Sequence, residues 1–231
     1  MLFRSGGTGV YYQTLKTCYD KLKEVSGAIQ VIGMGLAPRA VSRPASTAPL
    51  DFIRAIGAAY RADGRTVPIM DALAIHPYPN PNAKPPPPPA KGGYEDAGFF
   101  GVTQLDRVKA ALTTAFAGTG QPTTAGGLKL VIDEYGYQTD TAGDERYKGT
   151  EGSGVVSEAD QAAYYSDAIT KILACDPDVS DILLFLLVDE PGRAVTADGG
   201  GWQSGLEHPD GAHKPSYDAV AGAIKTGCAA G

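Results

Sequence analysis

Four runs of the sequence are almost continuously apolar, and each is about as long as one β-strand. Such a run is typical of a strand that is covered on both faces, whereas a strand with one wet face alternates apolar and polar residues. The runs are residues 28–36 (AIQVIGMGL), 72–78 (ALAIHPY), 128–136 (LKLVIDEYG) and 182–190 (ILLFLLVDE). The sequence therefore predicts four buried, parallel strands.

The segments between these runs have the spacing of amphipathic helices, and several have recognisable ends. Ser157 with Asp160 forms a capping-box pattern, and the last helical segment begins at Pro215 and ends at Gly227. The order is one helix followed by four strand–helix repeats, which is typical of βα units around a parallel sheet. We therefore predict an α/β fold and a single domain over residues 1–231.

The charge of the chain argues against some classes of partner. The net charge is −6 and no stretch is basic, so neither a nucleic acid nor an anionic membrane surface is an expected partner. No run reaches the roughly 18 apolar residues of a membrane span. The first residues, MLFRSGGTGVYY, lack the apolar core of a signal peptide. A neutral substrate fits this composition better.

The three cysteines, Cys18, Cys175 and Cys228, are too few and too scattered for a zinc site, whose ligands come in closely spaced pairs. We expect no metal and no cofactor. Cys175 and Cys228 each lie near the end of a predicted helix, so an exported protein would allow a bridge between them. Free buried cysteines are also common, and the sequence leaves both interpretations open.

Polar side chains stand where the apolar strands end. Side chains alternate along a strand, so Glu134 ends an apolar row that begins at Leu128. On the preceding strand the same alternation groups His76 with Tyr78 at the carboxyl end. Active sites of parallel βα folds lie at the carboxyl ends of the strands. We therefore expect a carboxylate, an imidazole and a phenol to meet there.

The third and fourth runs add further candidates. The fourth run ends in Asp189 and Glu190, and Trp202, the only tryptophan, lies in the loop that follows. Tyr137 comes directly after the third run. A flat aromatic side chain beside carboxylates suits a sugar ring, whose C–H face is apolar and whose rim is polar. We therefore predict that Glu190, Trp202 and Tyr137 bind substrate.

Each of these residues also has a structural interpretation when it is taken alone. Glu134 would then be a helix cap or an ion-pair partner, and His76 a buried structural histidine. Asp189 or Glu190 would bond loop amides, and Trp202 would cover the core. Their convergence at the same end of successive strands favours a functional site.

Five segments together resemble the second half of a clan A glycoside hydrolase, a group of retaining (β/α)8 barrels that includes cellulases, mannanases and xylosidase-like enzymes. The segments are GAIQVIGMGLAPR, IMDALAIHPYP, LKLVIDEYGYQ, LLFLLVDEP and GGWQSGLEHPDGAHKPSY. The resemblance covers nearly the whole chain. It implies a partial TIM barrel whose four strands correspond to strands five to eight, with the chain truncated at its N-terminus.

The resemblance also implies roles for the candidate residues. In that family a glutamate at the end of strand seven is the nucleophile, and Glu134 in IDEYG matches it. His76 and Tyr78 resemble residues that contact the nucleophile and the sugar. Trp202 resembles the strand-eight aromatic that stacks on the sugar.

One part of the family's machinery is missing from this sequence. A retaining glycosidase uses two carboxyl groups about 5–5.5 Å apart, one that attacks the anomeric carbon and one that protonates the leaving oxygen. The family's acid/base glutamate follows an asparagine, but Asn80 and Asn82 are the only asparagines and neither precedes a glutamate. We expect little or no turnover from this chain, because loss of general acid catalysis costs about 10²- to 10⁴-fold.

Three functions are compatible with these residues. The first is a retaining glycoside hydrolase, or a fragment of one, that acts on a β-linked polysaccharide or oligosaccharide. The second is a non-catalytic carbohydrate-binding barrel fragment. The third is a βα enzyme that uses Asp133, Glu134, Asp189 and Glu190 around Mg²⁺ or Mn²⁺, because hard oxygen ligands suit these ions.

Half a barrel would leave two strand edges open. The first and last strands of an open four-stranded sheet carry unpaired backbone groups. A homodimer about a two-fold axis, or a complementing chain, would close eight strands. The full-length parent is expected to be an extracellular O-glycosyl hydrolase.

Overall fold

Strands and helices alternate along the chain, as the four apolar runs predict. The computed structural model describes residues 7–40, 46–80, 85–149, 154–192 and 201–229. Their main elements are α1 (Gly7–Val25), β1 (Ile32–Leu36), α2 (Pro49–Ala62), β2 (Ala72–Ile75), α3 (Leu105–Phe116), β3 (Lys129–Tyr135), α4 (Glu158–Asp167), β4 (Val179–Leu184) and α5 (Pro215–Thr226). Short 3₁₀ turns cover Pro89–Lys91 and Thr124–Gly126, and a π-helical turn, Ala168–Leu173, continues α4.

The four strands form one sheet in the order β1-β2-β3-β4. β1 and β2 are parallel with Ile32 opposite Ala72, and β2 and β3 are parallel with Ala72 opposite Lys129. The amide of Phe185, just after β4, donates a hydrogen bond to the carbonyl oxygen of Tyr135 in β3. The predicted α/β fold of parallel βα repeats is confirmed.

The chain divides into two compact units. The first unit comprises Met1–Pro77, Tyr94–Asp133 and Asp178–Asp181. The second unit comprises Tyr78–Gly93, Glu134–Pro177 and Ile182–Gly231. None of the helices in the described ranges is both long and apolar enough to cross a membrane.

In the first unit α2 packs against α3. Ile53 and Ile56 of α2 and Val108 of α3 are completely buried, and each such side chain contributes about 1.5–3 kcal/mol of transfer free energy. The rings of Tyr60 and Phe116 meet edge to face with their centroids 5.7 Å apart. The apolar stripes that identify these two helices in the sequence therefore form the core of this unit.

In the second unit α4 packs against α5, and both helices begin where the sequence predicts. Ser157 caps α4, because its Oγ accepts a hydrogen bond from the amide of Asp160 at 3.0 Å. Pro215 is the first residue of α5. The hydroxyl of Ser216 donates to Oε1 of Gln161 at 2.8 Å, which ties the start of α5 to α4 in the buried interior.

Cys175 and Cys228 form a disulfide with their Cα atoms 4.8 Å apart, which settles the question that the sequence left open. The bridge closes a sequence separation of 53 residues. We expect the double substitution Cys175→Ala/Cys228→Ala to lower the free energy of unfolding by about 2–4 kcal/mol, measured by urea denaturation. Cys18→Ala is the matched control, because Cys18 is free and exposed. Equal stability of both variants would contradict the prediction.

Three strands differ from the predicted runs by more than one residue. β1 begins at Ile32 rather than Ala28. β2 ends at Ile75 rather than Tyr78, because Pro77 has no amide hydrogen to donate to a neighbouring strand. β4 covers Val179–Leu184, so it begins and ends earlier than the predicted run 182–190. The amide of Glu190 donates to the carbonyl oxygen of Trp202, so the last residues of that run pair with a loop and not with the sheet.

Candidate functional site

The end of β3 carries two adjacent carboxylates, and each makes a contact within its own unit. In the second unit, Oε2 of Glu134 accepts a hydrogen bond of 3.2 Å from the hydroxyl of Tyr78. In the first unit, Oδ1 of Asp133 lies 3.1 Å from Nε2 of His76. That Oδ1 atom is buried, and its contact has the distance of an ion pair without the direction of a hydrogen bond.

Three of these predicted residues thus have defined surroundings. Tyr78 and Glu134 are brought together as the sequence grouping suggests, and both are half-buried. His76 is only 9% exposed and contacts the carboxylate of Asp133. The hydrogen bond from Tyr78 orients the half-buried carboxylate of Glu134 at the end of β3.

Gly136 fixes the backbone two residues after Glu134. A Cβ atom at this position would lie 2.6 Å from the carbonyl oxygen of Phe185 and 3.3 Å from the hydroxyl of Tyr165. No side chain fits at the first distance, so the segment after β3 approaches the segment after β4 only because residue 136 is glycine. This explains the glycine of the IDEYG motif in physical terms.

Buried tyrosines support the end of β3 in the second unit. The Tyr135 hydroxyl donates to the Tyr137 hydroxyl, and the Tyr137 hydroxyl donates to the carbonyl oxygen of Pro87 at 3.1 Å. The Tyr165 hydroxyl donates to the carbonyl oxygen of Ser204 at 2.7 Å. Tyr137, which the sequence predicts to bind substrate, is only 2% exposed, so its contacts here are those of a packing residue.

These tyrosines make the fold sensitive to base. Burial raises the pKa of Tyr135, Tyr137 and Tyr165 above the ordinary value of 10.0. Their contribution to stability is therefore complete below pH 10, and it is lost at higher pH as the unfolded tyrosines ionise and the folded ones stay protonated. We expect the free energy of unfolding to fall above pH 10 by up to about 1.4 kcal/mol per pH unit for each tyrosine.

The measurement is urea denaturation between pH 8 and 11.5, together with tyrosinate absorbance of the folded and unfolded chain. Tyr165→Phe is the matched variant, because it removes one ionisable group and leaves the ring in place. Its stability should decline less steeply above pH 10 than that of the wild type. Equal slopes would show that Tyr165 ionises as readily in the folded chain as in the unfolded one.

Trp202 and Glu190 are bonded to each other in the second unit. The amide of Trp202 donates to Oε2 of Glu190 at 2.9 Å, and the amide of Glu190 donates to the carbonyl oxygen of Trp202 at 3.0 Å. The indole is 43% exposed and meets the ring of Phe185 edge to face, with centroids 6.1 Å apart. The Glu190 carboxylate thus lies beside the backbone of a partly exposed tryptophan, and their predicted role in binding substrate stays a prediction.

Phe185 is a residue that sequence reasoning missed. It lies in the middle of the apolar run ILLFLLVDE, where every neighbour suggests a core position. It is half-buried and directly follows β4, and its amide is still bonded to Tyr135 of β3. The signal available in the sequence was that it is the single aromatic residue of that run.

Asp189 has a cation as its partner. Its Oδ2 lies 2.6 Å from Nζ of Lys214, and both side chains are completely buried. In the part of the chain that the structure describes, no group of three His, Cys, Asp or Glu side chains is arranged to hold a metal ion. The interpretation of Asp133, Glu134, Asp189 and Glu190 as ligands of a divalent metal therefore has no structural support.

Comparison with known proteins identifies the fold. No family model matches the sequence, and no curated protein matches it either. Solved structures do match. An exo-β-agarase aligns with a TM-score of 0.57 at 14% identity, over 94% of this chain and 22% of its own. PfGH50B aligns with a TM-score of 0.55 at 14% identity, over 95% and 23% of the two chains.

A GH39 enzyme from Xanthomonas axonopodis pv. citri aligns with a TM-score of 0.52 at 15% identity, over 91% of this chain and 35% of its own. The chain thus spans between about a fifth and about a third of the length of these structures. Identities this low speak to the fold alone. The chain has the fold of part of a TIM barrel, as these solved glycoside hydrolases do, which confirms the predicted partial barrel.

Proposed function

We propose that this chain carries the nucleophile side of the active site of a retaining glycoside hydrolase that acts on a β-linked polysaccharide or oligosaccharide. Glu134 is the nucleophile. The observation that carries the proposal is the hydrogen bond from Tyr78 to Glu134 at the carboxyl end of β3, on a fold otherwise found in glycoside hydrolases. The substrate class rests on the resemblance of the strand-end motifs.

The chemistry follows from a fixed carboxylate. An oxygen of Glu134 forms a bond to the anomeric carbon as the glycosidic bond breaks, and the leaving oxygen departs with the bonding electrons and takes up a proton. Water then attacks the same carbon from the other side, loses a proton and releases Glu134. Two inversions give retention. The Tyr78 hydroxyl holds the carboxylate in place, so little conformational entropy is lost when the carboxylate attacks in the first step.

The exposed indole of Trp202 is the proposed surface for the sugar ring, with Phe185 supporting its edge. Glu190 acts through Trp202, because its carboxylate and its amide both bond the tryptophan backbone. His76 contacts the carboxylate of Asp133, and we propose that it holds that side chain in place. In this proposal Tyr78, Glu134 and Trp202 are the residues that touch substrate.

The missing Asn-Glu pair determines which substrates can react with this chain. Without a proton donor, a sugar or alkyl oxygen is a poor leaving group, whereas dinitrophenolate leaves without a proton. The test is therefore stopped-flow mixing of the chain with 2,4-dinitrophenyl β-xyloside, β-glucoside and β-galactoside. We expect at least one to release a burst of about one dinitrophenolate per chain, followed by slow turnover that azide accelerates with formation of the β-glycosyl azide.

The second candidate function is non-catalytic carbohydrate binding, which the missing acid/base favours. It predicts that the dinitrophenyl glycosides bind saturably and are released unchanged. Absence of a burst with all three glycosides would exclude the catalytic proposal in favour of this one. An α-glycosyl azide would instead indicate a single inversion and no role for a covalent nucleophile.

Two further proposals concern the setting of the protein. Because the disulfide between Cys175 and Cys228 persists in oxidising compartments, we propose that the parent protein is extracellular. β4 is an edge of the sheet, its Leu183 is 51% exposed, and Leu187, three residues beyond its end, is 59% exposed. Apolar side chains at an open strand edge favour pairing with another strand, and we propose a second copy of the chain as the partner. A monomer in sedimentation velocity at 50 µM would contradict this.

A further inference from the structure

Lys214 is a buried lysine in an unfavourable place. It is 1% exposed and immediately precedes Pro215, the first residue of α5, where the helix dipole disfavours a positive charge. Burial lowers the pKa of its ammonium group. The charge is compensated by Asp189, whose Oδ2 lies 2.6 Å away, and by hydrogen bonds to Oγ1 of Thr139 at 2.9 Å and the carbonyl oxygen of Gln203 at 3.1 Å.

Asp189 in turn is bonded through both of its oxygens. Oδ2 also accepts a hydrogen bond of 2.6 Å from the hydroxyl of Tyr147, and Oδ1 accepts one of 2.7 Å from the amide of Gly205. A Cβ atom on Gly205 would lie 2.6 Å from the amide nitrogen of Asp189, so only glycine allows this approach. The tyrosine has a single proton, so Nδ1 of His208, 3.0 Å from the same hydroxyl oxygen, is the donor in that contact.

In this network Asp189 contacts both Lys214 and Tyr147. The network holds the two segments that flank Trp202. One segment is residues 189–190, because Glu190 bonds both backbone groups of Trp202. The other is residues 203–205, because Lys214 bonds the carbonyl oxygen of Gln203 and Asp189 bonds the amide of Gly205. The buried ion pair therefore fixes the backbone on both sides of Trp202.

Buried ion pairs add little net stability compared with apolar side chains of the same volume, because desolvation offsets the attraction. Their directional hydrogen bonds do fix geometry. We propose that Asp189 and Lys214 are positioning residues, which hold Trp202 where its indole can stack on a sugar ring. The sugar in this inference rests on the proposed function, whereas the position of the indole can be tested without it.

The experiment uses the only tryptophan of the chain as its own reporter. The double variant Asp189→Leu/Lys214→Met removes both charges and keeps the volume, so it should stay folded. Two quantities are compared with the wild type: acrylamide quenching of Trp202 fluorescence, and the concentration dependence of the burst from the reactive dinitrophenyl β-glycoside. The control variant is Asp167→Ala/Lys171→Ala, an exposed ion pair of 2.7 Å on α4 and the turn that follows it.

We expect the quenching constant of the double variant to rise about twofold, because the backbone around Trp202 is no longer held. The half-saturating glycoside concentration should rise about 10- to 100-fold, and the limiting burst rate should change less than about threefold. The control variant should match the wild type in all three. If the double variant also matches the wild type, the ion pair does not position Trp202 and the inference is wrong.

Two other outcomes are also decisive. In the first, the wild type gives no burst with any glycoside while the double variant still shows increased quenching. That result would support the positioning role and overturn the proposed function alone. If the double variant does not fold, Lys214→Arg gives the same readouts, because arginine keeps the charge but its planar fork cannot reproduce the lysine's three contacts. Wild-type quenching and saturation in Lys214→Arg would overturn the inference.

Discussion

Glu134→Gln is expected to lower the rate of the dinitrophenolate burst by at least about 10³-fold, because an uncharged amide cannot form the covalent bond to the anomeric carbon. The substitution preserves the shape of the side chain and an oxygen that can accept the hydrogen bond from Tyr78, so the fold should be unaffected. The measurement is the burst rate and amplitude at saturating glycoside.

The neighbouring carboxylate provides the matched control. Asp133→Asn alters the adjacent residue of the same strand, whose carboxylate contacts His76. We expect this variant to keep a burst of full amplitude, with a rate within about 10-fold of the wild type. A burst that survives Glu134→Gln and disappears in Asp133→Asn would transfer the nucleophile to Asp133.

Lys214→Met is expected to lower the free energy of unfolding by about 3–5 kcal/mol, because it leaves the carboxylate of Asp189 buried without its cation. The remaining hydrogen bonds from Tyr147 and Gly205 do not neutralise the charge. Urea denaturation at pH 7 measures the effect. Lys171→Met is the control, and its side chain, 63% exposed, predicts a change within about 0.5 kcal/mol.

Comparison of Lys214→Met with the double variant Asp189→Leu/Lys214→Met also separates the loss of charge compensation from a loss of packing. If Lys214→Met is as stable as the wild type, the charge of Lys214 does not compensate that of Asp189 in the folded chain. If the double variant Asp189→Leu/Lys214→Met is less stable than Lys214→Met, poor packing of the apolar side chains is the cause. The account predicts the opposite order, with the double variant the more stable of the two.

The strands and their order could be predicted because burial on both faces leaves a local trace, an uninterrupted apolar run. The boundaries could not be predicted as well. The early end of β2 follows from Pro77, a signal that the sequence contained. At the end of the fourth run Glu190 pairs with Trp202, which is a property of the folded loop and has no local periodicity.

In the candidate site, too, some contacts could be predicted from the sequence and others could not. The grouping of Tyr78 with Glu134 follows from alternation and from the meeting of parallel strand ends, both of which are regular. Lys214 was not predicted, because a lysine before a proline normally indicates an exposed loop, and its partner Asp189 lies in another segment. Tyr137 was predicted to bind substrate and is buried at 2% exposure, because its ring packs among other buried tyrosines.

The central claim is that Glu134 becomes glycosylated, and the most direct measurement is the identity of the modified residue. The chain is incubated with 2-deoxy-2-fluoro-β-xylosyl, β-glucosyl or β-galactosyl fluoride, whose fluoride leaves without a proton, and is then digested with trypsin for fragment mass spectrometry. We predict one glycosyl group per chain, in the peptide of residues 130–146 and on Glu134. A label on Asp133, Asp189 or Glu190, with Glu134 unmodified, would contradict the account.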